Sequence, residues 1–229
     1  MNSNKRKIRV LVVDDSIVFR ETLAREIARD PFIEVVAKAS DPYMARDKIL
    51  EFKPDVMTLD VEMPRMSGIE FLKRLIPQYP IPVVVVSAVS ESVFDALNAG
   101  AVDFVTKPDM LGVRGVEVFV NELIVKIKIA STAKVAVPKE NVGTVSVNHR
   151  AGLVKQNCII VIGASTGGTE AIATVLKDFP ANMPGTLIVQ HMPPVFTAMY
   201  AARLNSVCAV EVREAKTGDM VLPGLVLIA

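Results

Sequence analysis

Apolar and polar positions along the first 128 or so residues alternate between two periods. Short apolar runs at Ile8–Val13, Ile33–Ala39, Val56–Leu59, Val83–Val86 and Val102–Val105 predict strands. Between and after them, apolar residues recur at helical spacing over Ser16–Arg29, Pro42–Phe52, Gly68–Ile76, Glu91–Ala99 and Val116–Ala130. Strands of Val, Ile and Leu without alternation fit burial on both faces. Five strand–helix units with short connections predict a parallel sheet with helices on both sides. The pattern lapses from Ala130 to about Gln156, where Ser, Thr, Lys and Asn accompany Pro138 and Gly143. This stretch reads as a linker, and His149 within it as a solvated side chain. A second alternation begins near Asn157, with strands at 158–162, 186–190, 209–212 and 225–229 and helices at 169–177 and 195–205. The expectation is two doubly wound α/β domains, 1–128 and 157–229, joined by a linker at 129–156. The second is short for its class, and the apolar run Leu225–Ala229 predicts that it is incomplete.

Composition narrows the class. Of 229 residues, 51% are hydrophobic and 22% charged, which suits a chain that buries a core. The net charge of +1 creates no general pull toward nucleic acid or membrane. From Asn157 onward acidic residues outnumber basic ones and no basic recognition helix occurs, so a DNA-binding regulator is disfavoured. No apolar run is long enough to span a bilayer. The basic start, Met1–Lys7, precedes a strand too short for a signal-peptide core, so a cytoplasmic location is expected. Cys158 and Cys208 lie in apolar surroundings and read as buried thiols in a reducing compartment.

Functional groups of a parallel sheet collect beyond the carboxyl ends of its strands. Here those ends carry Asp14 and Asp15, then Asp60, then Ser87, then Lys107. Three neighbouring carboxylates repel unless a cation joins them, and hard oxygen ligands suit Mg²⁺. A carboxylate so neutralised can accept a phosphoryl group, with Ser87 and Lys107 stabilising the transferred oxygens. Asp60 stands alone at the central strand and is the best acceptor. Singly, each residue has a plainer reading: Asp15 or Ser16 as a helix cap, Asp60 as a turn residue, Ser87 as a cap, Lys107 as a surface lysine.

Val12-Val-Asp14-Asp15-Ser16, Leu59-Asp60-Val-Glu-Met63-Pro64, Gly68, Ser87-Ala88 and Asp103-Phe-Val-Thr-Lys107-Pro108 together resemble a two-component receiver domain. The resemblance implies a (βα)5 flavodoxin-like fold with Asp60 as phosphoacceptor. It implies Mg²⁺ held by Asp14, Asp15, Asp60 and the backbone carbonyl of Glu62, and a histidine kinase as phosphodonor. It also implies a cis Lys107–Pro108 bond, with Ser87 and Phe104 as the hydroxyl and aromatic switch positions. On the residues alone, Phe104 is equally a core strand residue.

The second half opens on Cys158-Ile-Ile-Val-Ile-Gly-Ala-Ser165-Thr-Gly-Gly168, a strand feeding a small-residue turn and a helix. Backbone N–H groups at such a corner stabilise negative charge, and a serine there is a candidate nucleophile. The corner also resembles the elbow of unrelated hydrolases. The rival is a phosphate-cradling loop, but Gly163-x-Ser165-x-x-Gly168 puts a side chain where backbone should approach pyrophosphate. The next strand ends in Gln190-His191, so a right-handed crossover brings Ser165 and His191 to neighbouring corners as nucleophile and base. Alone, His191 would read as a turn residue before Met192-Pro193-Pro194.

Ile162-Gly-Ala-Ser165-Thr-Gly-Gly168, Gln190-His191-Met-Pro193-Pro-Val-Phe-Thr197, Arg203-Leu204 and Gly218-Asp219 through Pro223-Gly224 resemble the catalytic domain of the chemotaxis protein-glutamate methylesterases. That implies a Rossmann-like fold, Ser165 as nucleophile, His191 as its base and the Thr166 N–H beside the oxyanion. No cofactor is implied in the esterase site. Methyl-accepting chemoreceptors are the implied substrates, with glutamine deamidation as a second activity. The family's third triad member, an aspartate, falls beyond Ala229. Asp178 lies at the wrong end of a helix, and Asp219 reads as structural. Losing the orienting acid costs a serine hydrolase about 10⁴ in turnover, so this chain is expected to be nearly inactive where the longer protein is active. The resemblance further suggests a receiver that docks as a lid under phosphate control. A binding module without catalysis is the alternative.

Overall fold

β-branched side chains pack well on a pleated, buried surface, and the valine-rich runs of the first half all become strands. The computed structural model describes residues 6–88, 91–108, 113–133, 135 and 158–229. The chain divides into two compact units, Met1–Pro138 and Lys139–Ala229. The linker centre and His149 lie outside the described residues.

The first unit runs β1 (Ile8–Val13), α1 (Ile17–Ile27), β2 (Ile33–Ala39), α2 (Pro42–Phe52), β3 (Val56–Asp60), α3 (Gly68–Leu75), β4 (Val83–Ser87), α4 (Ser92–Asn98), β5 (Asp103–Thr106) and α5 (Val113–Ala130). Its sheet is parallel, in the order β2-β1-β3-β4-β5. The chain reverses direction across the sheet between β1 and β3, which opens a crevice at their carboxyl ends. Val10, Val12, Val56, Val84, Val86 and Val105 face α1 and α5, where Leu23, Ile27, Phe119, Leu123 and Ile127 complete one core. Leu11, Leu59, Val83 and Val85 are equally buried, so both faces are covered as expected.

Local chemistry sets the helix starts. The Ser16 hydroxyl accepts from Phe19 N–H and the Ser67 hydroxyl from Glu70 N–H. Asp41 accepts from Tyr43 and Met44 N–H ahead of Pro42, whose missing N–H costs nothing in the first turn. Gly68 serves close approach: a Cβ there would stand 2.3 Å from the Asp60 carbonyl oxygen. Glycine thus lets the chain after β3 fold tightly over the end of that strand.

The second unit contains β6 (Ile160–Ala164), α6 (Gly168–Lys177), β7 (Thr186–Gln190), α7 (Pro194–Val207), β8 (Glu211–Glu214) and β9 (Leu225–Ile228). Its sheet is also parallel, ordered β6-β7-β9-β8. Several expectations need correction. The first strand starts two residues later than read, because Cys158 and Ile159 are also apolar and only pairing with β7 marks the onset. β8, expected at 209–212, likewise starts two residues later. One face of the open strand β6 is uncovered: Ile159 and Val161 are 59% and 67% exposed, and Val189 beside them 50%. The cysteines are not buried thiols, since Cys158 is exposed before this open strand and Cys208 is half-buried at the end of α7. Burial still pushes the Cys208 thiol pKa up.

Candidate functional site

The crevice at β1 and β3 gathers the acidic residues. Asp14 follows β1 and Asp60 ends β3, and both are buried, at 1% and 2% exposure. Asp15 is exposed beside them, and ligand atoms of all three lie within 4.8 Å of one another. Backbone donors hold two of these carboxylates: Ser16 N–H donates to Asp14 at 2.9 Å and Glu62 N–H to Asp60 at 3.1 Å. Lys107 reaches in from the end of β5, its Nζ 2.8 Å from Asp14 and 2.6 Å from Asp60. Its main-chain N–H donates to the Ser87 carbonyl, joining the ends of β4 and β5.

Burial sets the charges in this pocket. It raises the Asp14 pKa, and the Lys107 ammonium offsets only part of that. For Lys107, burial acts to lower the pKa, but hydrogen bonds and attraction from Asp14 and Asp60 outweigh it and the net shift is upward. Arg20 adds a further cation at the rim, donating to the Asp14 carbonyl oxygen at 2.5 Å. Among the described residues, the buried Ser87 and Thr106 hydroxyls have no hydrogen-bond partner. Two unspent hydroxyls, an ammonium and a carboxylate cluster suit a phosphoryl group and a hard cation.

The plainer readings fare unevenly. Ser16, not Asp15, caps α1. Ser87 is not a cap, since α4 begins at Ser92 with Glu91 before it. Lys107 is not a free surface lysine, since it pairs with Asp14 and Asp60 while keeping part of its side chain in water. Phe104 is 3% exposed and packs as core, with the Lys126 ammonium 5.1 Å from its ring. The Lys107–Pro108 bond is trans, not cis; trans is the intrinsically favoured state even before proline.

In the second unit, β6 and β7 are hydrogen-bonded neighbours with Ala164 opposite Gln190. Ser165 and His191 are the residues that follow those two paired strand ends, so they stand at neighbouring corners. His191 N–H donates to the Ala164 carbonyl at 3.0 Å and closes the junction. Both side chains are exposed, and among the described residues no hydrogen bond joins hydroxyl to imidazole. The expected elbow differs in one respect: the left-handed residue is Gly167, at φ 75°, rather than the serine. The turn is closed by Gly168 N–H donating to the Ser165 carbonyl at 2.8 Å, and Thr166 sits half-buried inside it. The Tyr200 hydroxyl donates to the Thr169 carbonyl at 2.6 Å, which pins α7 to the start of α6. Asp178 ends α6 on the far edge of the sheet. Asp219 accepts from Arg213 and from Lys216 N–H within its own turn, as a structural residue does.

Two residues escaped the sequence reading. Lys126 is 4% exposed; its place with Phe119, Leu123 and Ala130 on one helical stripe was the available signal. Gln190 is buried at 6%, and a polar residue closing an apolar strand beside a histidine was the hint.

Comparisons with known proteins follow this division. The family described as CheB methylesterase matches residues 160–229, and that described as Response regulator receiver domain matches residues 10–112. A protein-glutamate methylesterase/protein-glutamine glutaminase of Syntrophomonas wolfei subsp. wolfei is 61% identical over 224 residues, covering 98% of this chain and 65% of the relative. One from Rhizobium johnstonii is 44% identical over 98% of this chain and 68% of its own length. The crystal structure of the response regulator domain of Thermotoga maritima CheB shares 41% identity, covers 56% of this chain and 99% of its own, and superposes with a TM-score of 0.52.

Proposed function

The chain belongs to the protein-glutamate methylesterase family, and on that premise we propose that it is the phosphorylation-controlled part of an esterase acting on glutamate methyl esters of receptor proteins. The chain spans about two thirds of the length of its relatives. The activity described is therefore that of the longer protein.

Asp60 is the phosphoacceptor. Its carboxylate oxygen attacks phosphorus of a donor, such as a kinase phosphohistidine, and the donor leaves with the bonding electrons. The Lys107 ammonium and the Ser87 hydroxyl meet the transferred oxygens. Asp14, Asp15, Asp60 and the Glu62 carbonyl would hold Mg²⁺, whose charge offsets that of the carboxylates and the phosphoryl group. In the second unit Ser165 attacks the ester carbonyl as His191 takes its proton. Methanol departs, and water then releases the glutamate carboxylate. A glutamine side chain presents the same acyl centre and releases ammonia instead. The Thr166 N–H would stabilise the oxyanion.

The observation that carries this reading is the register of β6 with β7, which puts Ser165 and His191 on adjacent corners. The test is ester hydrolysis by the full-length protein on a methylated receptor. Mg²⁺ with a small phosphodonor should raise the rate, and Ser165→Ala should lower it by at least about 10³-fold. Equal rates with and without phosphodonor would remove the regulation. An active Ser165→Ala would remove the esterase.

A further inference from the structure

Gln190 closes β7, next to an exposed histidine, yet its side chain turns away from water and is 6% exposed. The carboxamide lies across the two corners. Its Nε2 donates to the Ser165 carbonyl oxygen at 2.9 Å and to the His191 carbonyl oxygen at 3.3 Å. One NH₂ group thus grips the main chain of both reacting residues. A carboxamide carries two N–H donors, and both are engaged at this junction. The other end, Oε1, is buried with no hydrogen-bond partner among the described residues. It lies against the first residue of α6, where a Cβ on Gly168 would stand 2.2 Å from it. Gly168 has no left-handed torsion. Its missing side chain leaves room for the amide and for the Ala164 Cβ, which would stand 2.6 Å from the same point, and the positive end of α6 suits the carbonyl dipole.

We propose that Gln190 is a positioning residue: its carboxamide fixes the separation and direction of the Ser165 and His191 corners, and Gly168 makes the space it needs. The inference rests on the serine-esterase reading above. It assigns the spacing of nucleophile and base to a side chain that touches neither substrate nor reacting atoms. Glutamate in its place offers only oxygens to two carbonyl oxygens, and methionine fills the volume without a donor.

The test uses the full-length protein and a fluorophosphonate probe that labels an activated serine. Gln190→Met and Gln190→Glu should each slow labelling of Ser165 by about 10- to 100-fold, the scale of a misplacement near 1 Å. The His191-controlled limb of the labelling pH profile should move, which a purely structural loss would not cause. Gly168→Ala should also slow labelling, and combining it with Gln190→Ala should remove only the part of that loss due to the amide, because the Ala164 Cβ would still stand 2.6 Å from the new methyl. Parental labelling rates in folded Gln190→Met overturn the proposal. If the parent itself is not labelled at Ser165, the esterase reading fails, and the link is judged by amide NMR instead. Gln190→Met should then shift the Ser165, Gly168 and His191 amide signals, and unmoved signals overturn it.

Discussion

At Lys107 a single ammonium faces two buried carboxylates, 2.8 Å from Asp14 and 2.6 Å from Asp60. The side chain is 24% exposed, so water shares in its solvation and its pairs are weaker than fully buried ones. The carboxylates have no such outlet. Removing Lys107 leaves them facing each other with backbone N–H groups as their support. Lys107→Ala should therefore destabilise the first unit by about 1–3 kcal/mol in metal-free buffer, less than the roughly 3–5 kcal/mol for breaking a fully buried pair because the ammonium is partly in water. Mg²⁺ should recover most of that loss, since a cation among Asp14, Asp15 and Asp60 replaces the missing charge. Urea unfolding with EDTA and then with Mg²⁺ measures both. Equal loss in the two buffers would show that the residue packs rather than balances charge.

Among the elements, α5 is held by two lysines of different character. Lys126 is buried, donating to Asp103 at 3.0 Å and to the Phe104 carbonyl at 2.6 Å, with Glu122 at 3.2 Å. It fastens α5 to β5 at Phe104, a buried residue of the strand. Lys126→Met should cost on the order of 3 kcal/mol, because the Asp103 charge is left without its cation. Adding Asp103→Asn, which keeps an oxygen for the Phe104 N–H, should restore much of it. Lys128 is half-exposed and reaches Asp30 at 2.6 Å, tying the last turn of α5 to the loop before β2. Burial acts to raise the Asp30 pKa, but Lys128 and the Phe32 N–H outweigh it and the net shift is downward. This contribution is present above the unfolded value near 3.8 and is lost as pH falls through the lower folded value. Asp30→Asn should therefore flatten the acid limb of stability below about pH 4 while costing under roughly 1 kcal/mol at neutral pH. An unchanged acid limb in a urea series would contradict the pairing. α2 and β1 were legible to the residue because a cap or an apolar edge marks each end. The acidic crevice was legible because a parallel sheet sends every strand's carboxyl end to one edge. Lys126 and Gln190 were not, because a buried polar residue betrays itself only through partners distant in sequence. Nor could an apolar run reveal that Val161 is exposed, since hydrophobicity does not say whether a covering element exists.

At the scale of the whole molecule, the two units differ in how they complete themselves. The first covers both faces of its sheet, and the Asp14, Asp15 and Asp60 cluster, which could hold a cation, lies within it. The second leaves Ile159, Val161 and Val189 exposed on neighbouring strands, an apolar area of the kind that marks an incomplete core or a binding face. Separate cores unfold as separate cooperative units, and a single unfolding free energy is then undefined. Thermal scans of this chain should accordingly show two transitions. A ligand that binds one folded unit raises only that unit's midpoint, by about 2.7 kcal/mol of stabilisation at a hundred times its dissociation constant. Mg²⁺ should move the first unit's transition upward and leave the other in place, and Asp14→Asn should abolish the shift. A hydrophobic dye should bind before the Mg²⁺-sensitive transition, reporting the open face of β6 and β7. One transition moving as a whole with Mg²⁺ would mean that the units share a core, and dye silence before unfolding would mean that the apolar strands are covered.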